Sequence, residues 1–556
     1  MVQVAALLLF TLFGLPELLS LYYIDTLTQA AVYSMVALGL GVLVGRVGLY
    51  SLGQAAVLAI GAWVAARLLF ATSLPFPVVL LGAGVITMLL GTVIGLPALR
   101  MRGLYLALIT LMMAGAITVV LATINFPNGG GGFLGYNGST VHIPSIRRPS
   151  IASADTAYFR YSVLVAMIMF GLVLAHIRTR PGRAWAAIRQ SEPAALAAGI
   201  NTTLYKLWAF ALASFITGVA GGVLAGASRY LYSIDFQPQD SITLLGVVLM
   251  GGAYSLWGAV VAALLLELLP AILHSWGVSA DWLTILFGLG VVQVLTNAPK
   301  GPGRPGAKGP RTALALAVPA WRAVMIEVTG LTVRFGGVTS LDGMSLIFEQ
   351  GTCGLIGPNG AGKTTFFNVL SGFVRPAAGN IRAFGTDLLA MVHYRRARWG
   401  LRRTFQTEQT IEELSVAENV GLGGASRQEV LDAIAFAGLD CDPGSPVRVL
   451  GAGQRRLVEL ARAVAGQPKL VLLDEPAAGL PDQETAHLGE VIGQIPVRTG
   501  ALVILVDHDM SLVSACCQTT AVLDFGKLIA SGPTAAVLRD EGVMRAYLGT
   551  SDGAAP

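Results

Sequence analysis

Residues Gly357 to Thr365 read GPNGAGKTT, with Gly357, Gly362, Lys363 and Thr364 at the positions that a phosphate-cradling loop requires. Phosphate oxyanions must be held without side-chain bulk, so glycines let backbone N–H groups point at the ligand from the positive end of a new helix. The cradle is Gly357, Pro358, Asn359, Gly360, Ala361, Gly362, Lys363, Thr364 and Thr365; Lys363 reaches the β and γ phosphates of ATP and the Thr364 hydroxyl ligates Mg2+. Further along, LVLLDEP ends an aliphatic run in two carboxylates: Asp474 is suited to hold the metal and Glu475 to polarise an attacking water. A third aliphatic run, Leu502 to Val506, delivers Asp507 and then His508, assigned to the γ-phosphate. Gln406 stands where a sensor of metal and water is expected, and Phe335 offers a flat face for adenine.

These side chains need a sheet to hold them. The apolar run Cys353 to Ile356 before the cradle, and a helix-compatible stretch after it, give strand, loop and helix, while the later aliphatic runs read as buried parallel strands. Leu450, Gly451, Ala452, Gly453 and Gln454, followed by RRLVELARAVA, open a helix with small residues at its positive end, a second anion site.

The rest of the chain has a different solvent. Of 556 residues 54% are hydrophobic and 12% charged, and only eight of the 32 acidic residues precede residue 300. A bilayer core takes roughly 20 apolar residues per helix, and that template matches 4–22, 25–45, 52–71, 76–98, 103–124, 159–177, 206–227, 257–275 and 280–298. A shorter tenth candidate, 241–254, keeps the basic loops Arg100/Arg102, Arg178 to Arg189 and Lys300 to Arg311 on one side, with both termini cytoplasmic. The expected architecture is a polytopic α-helical membrane domain of about ten helices (1–299), a Pro/Gly-rich basic linker able to lie on lipid headgroups (300–323), and an α/β ATPase domain (324–549). The basic clusters flank apolar spans, which argues against nucleic-acid binding, and the four cysteines show no metal-ligand spacing. The first 22 residues lack a basic start and contain Glu17, so they read as a retained span. Gln54, Glu17 and Glu267 are polar groups at or near membrane depth, where such residues are costly and often functional. Residues 48–55, GLYSLGQA, also echo 252–259, GAYSLWGA.

Between two spans, Ser191 can cap a short helix, Pro193 suits its first turn and Gly199 can end it in the left-handed conformation, giving a compact element suited to docking in a cleft.

Taken together, these motifs resemble those of the ATP-binding-cassette (ABC) transporters. In that family Leu450 to Gln454 matches the signature, usually LSGGQ, which completes the partner subunit's ATP site; here Gly451 replaces serine and Ala452 replaces glycine. The run Ala478 to Asp482 resembles the D-loop, with Asp482 as its acidic residue. Residues 1–299 resemble the permease subunit of the branched-chain amino-acid (Liv-type) importers through GLYSLGQAAVLAIGAW, GRAWAAIRQSEPAALAAGIN and GGAYSLWGAVVAALLLELLP, and residues 324–549 resemble the matching ATPase subunit. The resemblance implies a permease fused to its ATPase with a helical subdomain, in which Glu192, Ala194, Ala195 and Gly199 belong to the coupling helix. It further implies a second permease/ATPase half, as another chain or a homodimer, an extracytoplasmic solute-binding protein, and a bacterial cytoplasmic membrane. Branched-chain amino acids are the expected solute; urea, amides and other small polar solutes are the alternative within the family. Export is disfavoured by the short inner loops, and a regulatory ATPase that moves nothing by the intact cradle and the many spans.

Overall fold

Hydropathy dictates the first unit. The structure is a computed structural model, and it describes residues 10–98, 104–123, 146–232, 235–277, 326–349 and 351–543. Among these, seven helices are long and apolar enough to cross a membrane: Leu21–Val47, Gln54–Ala71, Phe76–Leu96, Tyr105–Thr123, Asp155–Ile177, Thr202–Ser228 and Leu256–Ser275. The short candidate forms a 14-residue helix, Pro238–Gly251. Of the expected first span, a π-helical turn (Phe10–Gly14) and a short helix (Leu15–Leu18) are described; the helix ends with Leu19 as its C-cap and the next begins at Leu21, with Ser20 at its N-cap. The stretch 280–298 and the linker 300–323 lie outside the described residues.

Lipid tails are as apolar as leucine, so helices in this unit gain from close approach of small residues rather than from hydrophobic burial. A Cβ on Gly61 would sit 2.6 Å from Gly218 Cα, and one on Gly218 would sit 2.6 Å from Thr87 Cβ. Helices Gln54–Ala71, Phe76–Ala98 and Thr202–Ser228 therefore meet where side chains are missing. Polar groups gather near the start of the first of these: Thr217 donates to Gln54 Oε1 (3.0 Å), Ala55 N–H to Ser241 (3.1 Å) and Leu52 N–H to Thr110 (2.8 Å).

The internal echo has a structural counterpart. Gly48 (φ 78°) and Gly252 (φ 98°) each end a helix in the left-handed conformation, and new helices begin at Gln54 and Leu256. The two breaks adjoin, since a Cβ on Gly45 would collide with the carbonyl of Ala253.

The second unit is built on two sheets. Strands β1 (Ile326–Phe335), β2 (Val338–Phe348), β4 (Ala378–Ala383) and β5 (Thr386–Asp387) form an antiparallel sheet in the order β2-β1-β4-β5. Strands β3 (Thr352–Ile356), β6 (Leu401–Arg403), β7 (Leu470–Asp474), β8 (Leu502–Val506), β9 (Thr519–Asp524) and β10 (Lys527–Pro533) form the other, ordered β10-β9-β3-β8-β7-β6 and parallel except for β10. Every residue of β3, β7 and β8 is buried, as the aliphatic runs Leu470 to Leu473 and Leu502 to Val506 require. Helices Val416–Val420, Arg427–Phe436 and Ala452–Val464 contribute to a second core and form the helical subdomain. By contacts the chain separates into two compact units, and Ala186–Thr202 falls in the same unit as residues 302–556.

Candidate functional site

Strand β3 runs into the cradle, and helix Lys363–Ser371 leaves it. Gly357 (φ 151°), Gly360 (φ 84°) and Gly362 (φ 102°) take conformations that L side chains rarely adopt. A Cβ on Gly362 would meet Ser340 O at 2.6 Å, whereas Gly360 has nothing within 4 Å, leaving open space for a ligand there. Lys363 is buried and its Nζ donates to Gly357 O (2.6 Å) and Pro358 O (3.0 Å); burial pulls its pKa down, with Glu475 and Asp474 opposing. The two threonines differ. Thr365 shares a hydrogen bond with Ser340 (2.8 Å), while Thr364 is exposed. Phe335, at the end of β1, is half exposed.

Strand β7 delivers Asp474 and then Glu475, whose backbone turns left-handed (φ 46°). The Glu475 carboxylate is held on both oxygens: His508 Nε2 lies 2.9 Å from Oε1, and Gln406 Nε2 donates to Oε2 at 2.8 Å. Three residues expected from separate motifs thus meet at one carboxylate. Asp474 is buried, and burial raises its pKa against the opposing pull of Arg403.

Sequence reasoning assigned no role to Arg403 or Asp507. Arg403 Nη2 lies 3.1 Å from Asp474 Oδ2, its Nη1 donates to Asn368 (2.8 Å) and Ser371 (3.2 Å), and it lies over Phe405 at 5.0 Å. Its place just before Thr404-Phe405-Gln406 was the available signal. Asp507 Oδ1 accepts from His508 N–H (2.8 Å) and Asp509 N–H (3.0 Å), which fixes the turn that presents His508.

Among the described residues no cluster of three or more His, Cys, Asp or Glu is placed to hold a metal alone. The oxygens of Asp474, exposed Thr364 and the Gln406 carbonyl, left as an acceptor by the amide's donation to Glu475, fit magnesium, which usually keeps substrate oxygens and waters around one or two carboxylates.

The signature opens helix Ala452–Val464, with Gly451 at its N-cap and Gln454 Oε1 accepting from Gly451 N–H (3.2 Å). A Cβ on Gly453 would meet the Glu484 carboxylate, so a larger residue there would push that exposed side chain aside. Asp482 opens helix Asp482–Thr499; its side chain lies outside the described residues.

The segment from the permease sequence forms helix Glu192–Ala197, with the Ser191 hydroxyl accepting from Ala194 N–H and Pro193 in the first turn. Ala194 and Ala195 are buried, and Gly199 is left-handed (φ 81°). Arg398 Nε donates to Gly199 O (3.0 Å), and Arg189 pairs with Glu413 (2.8 Å).

A family model described as the branched-chain amino acid transport system permease component matches residues 22–295, and an ABC transporter model matches residues 341–478. The chain is 34% identical over 249 residues to the high-affinity branched-chain amino acid transport ATP-binding protein BraF of Pseudomonas aeruginosa, a match covering 40% of this chain and 98% of that protein. The same identity and coverage relate it to the ATP-binding protein LivG of Escherichia coli K12. A crystal structure of the ADP conformation of an ATP-binding cassette of an ABC transporter superposes with a TM-score of 0.38 and 25% identity, covering 41% of this chain and 99% of that one.

Proposed function

The chain belongs to the branched-chain amino-acid transport family of ABC transporters, with permease component and cassette in one polypeptide, and on that premise we propose that it imports leucine, isoleucine and valine. It is an ABC importer whose cassette hydrolyses ATP to drive transport. Cassettes of this kind work as dimers with permease partners; the proposed partner is a second permease/ATPase half, served by an extracytoplasmic solute-binding protein in a bacterial cytoplasmic membrane.

In the proposed mechanism the glycine cradle and Lys363 hold the phosphates, and Phe335 packs on adenine. Mg2+ held by Thr364, Asp474 and Gln406 would neutralise charge on the β and γ phosphates. Glu475 orients water for attack on the γ-phosphorus, while His508 and Gln406 fix the carboxylate between them, at 2.9 and 2.8 Å. Gly451 to Gln454 complete the partner's ATP site, where the missing serine hydroxyl removes a hydrogen bond of roughly 0.5–1.5 kcal/mol. Asp482 lies between the two sites, and Glu192, Ala194, Ala195 and Gly199 carry the nucleotide-driven motion to the permease.

One observation supports this reading most: a 17-residue permease segment, Ala186–Thr202, packs in the compact unit of the cassette. Proteoliposomes holding the chain, its partner half and the binding protein should accumulate labelled leucine only with internal ATP, and isoleucine and valine should compete. Competition by urea or amides, with none by valine, would reassign the solute. ATP-driven movement of leucine out of the ATP compartment would overturn import.

A further inference from the structure

Helix Ala452–Val464 carries Arg456, Glu459 and Arg462 at three-residue intervals, which places them on one face, and their side chains are 8%, 1% and 10% exposed. That face grips the backbone on both sides of Gln406. Arg456 Nη1 donates to Phe405 O (2.8 Å) and Nη2 donates to Gln406 O. Glu459 Oε1 accepts from Gln409 N–H (2.8 Å), and Arg462 Nη1 donates to Gln409 O (3.0 Å). The three are tied to one another: Glu459 lies 2.9 Å from Arg456 and 3.5 Å from Arg462.

A buried ionic network of this kind is a poor device for stability, because the desolvation of its charges can exceed their mutual attraction and apolar replacements are often neutral or better. Its contacts here go to a loop whose Gln406 and Thr407 are exposed and whose one functional side chain, Gln406, must reach Glu475 Oε2 at 2.8 Å. A backbone shift of an ångström there breaks that bond. We infer that Arg456 and Glu459 are positioning residues for ATP hydrolysis, clasping the Phe405 to Gln409 backbone so that the Gln406 amide meets the Glu475 carboxylate. The inference rests on the role assigned to Gln406 above. It also ties the Gln406 loop to the helix that the signature opens.

A double-mutant cycle in the full transporter tests it, with ATPase kinetics as readout and the thermal midpoint as control. Glu459→Gln and Arg456→Gln should each lower kcat about tenfold while leaving the KM for ATP within about twofold, and neither should lower kcat further in a Gln406→Ala background. Rescue toward wild type by Glu459→Asp supports the same conclusion. Losses that multiply in the double variant, or a wild-type kcat for Glu459→Gln beside an impaired Gln406→Ala, overturn the clasp. A wild-type kcat for Gln406→Ala overturns the Gln406 assignment itself, and the clasp with it. Where Glu459→Gln fails to fold, Arg456→Lys keeps the buried cation but loses a donor to Gln406 O, and runs through the same cycle.

Discussion

At Glu475 the chain accepts a left-handed backbone (φ 46°) at a residue that has a Cβ, a conformation costing of order 1–3 kcal/mol. The turn is held by Glu475 N–H donating to Val506 O (2.7 Å), so strand β8 fixes the direction of the carboxylate. Glu475→Gln keeps the shape and should lower kcat by about 10²–10⁴-fold while ATP binding, read by a fluorescent nucleotide, persists. Undiminished hydrolysis would remove Glu475 from its role. Two other residues test the packing behind this sheet. Burial pushes the Cys516 thiol up to about 11 and Cys517 higher still, which leaves little thiolate at neutral pH. Iodoacetamide at pH 7.5 should therefore label neither until denaturant is added, which mass spectrometry of the alkylated peptides checks. The cradle and the Asp474-Glu475 pair were legible because residue type and spacing alone define them. Arg403 was not, since its partner Asp474 lies 71 residues away and a buried arginine in a short strand has no pattern of its own.

Elements carried most of the fold legibly where one period or one solvent governed them. Seven apolar stretches became helices within a few residues of their expected bounds, and the runs ahead of the cradle, Asp474 and Asp507 became β3, β7 and β8. The register of the sheets was not legible, because parallel strands are brought together by crossovers that leave no local trace. Helix Glu192–Ala197 is the element whose caps were readable in full: Ser191 accepts from Ala194 N–H, and Gly199 takes φ 81°. Gly199→Val places a β-branched residue in that conformation and sets its Cβ 3.1 Å from Arg398 Cγ. Solute uptake in proteoliposomes should then fall further than ATP hydrolysis does; equal losses would count against a coupling role for this turn.

At the scale of the whole chain, joining permease and cassette fixes their ratio and converts their meeting into an intramolecular event. Joining two modules covalently gives an effective concentration of order millimolar when the connection spans the two sites. Dividing the gene within 300–323 and expressing both pieces together should leave uptake that depends on expression level, whereas the intact chain should not show that dependence. Transport by the divided protein that is insensitive to dilution would mean that the tether contributes nothing.

The hydrogen bond from Arg398 to the Gly199 carbonyl is a contact with main chain alone. In the proposed coupling that bond does not read side-chain identity: it recognises a bend in the polypeptide, and another permease segment with the same glycine bend would offer the same acceptor. If the turn couples the two halves, discrimination would fall on the side chains around it, such as the Arg189–Glu413 pair and the buried Ala194 and Ala195, which makes swapping that ion pair one route to rewiring which cassette drives which permease.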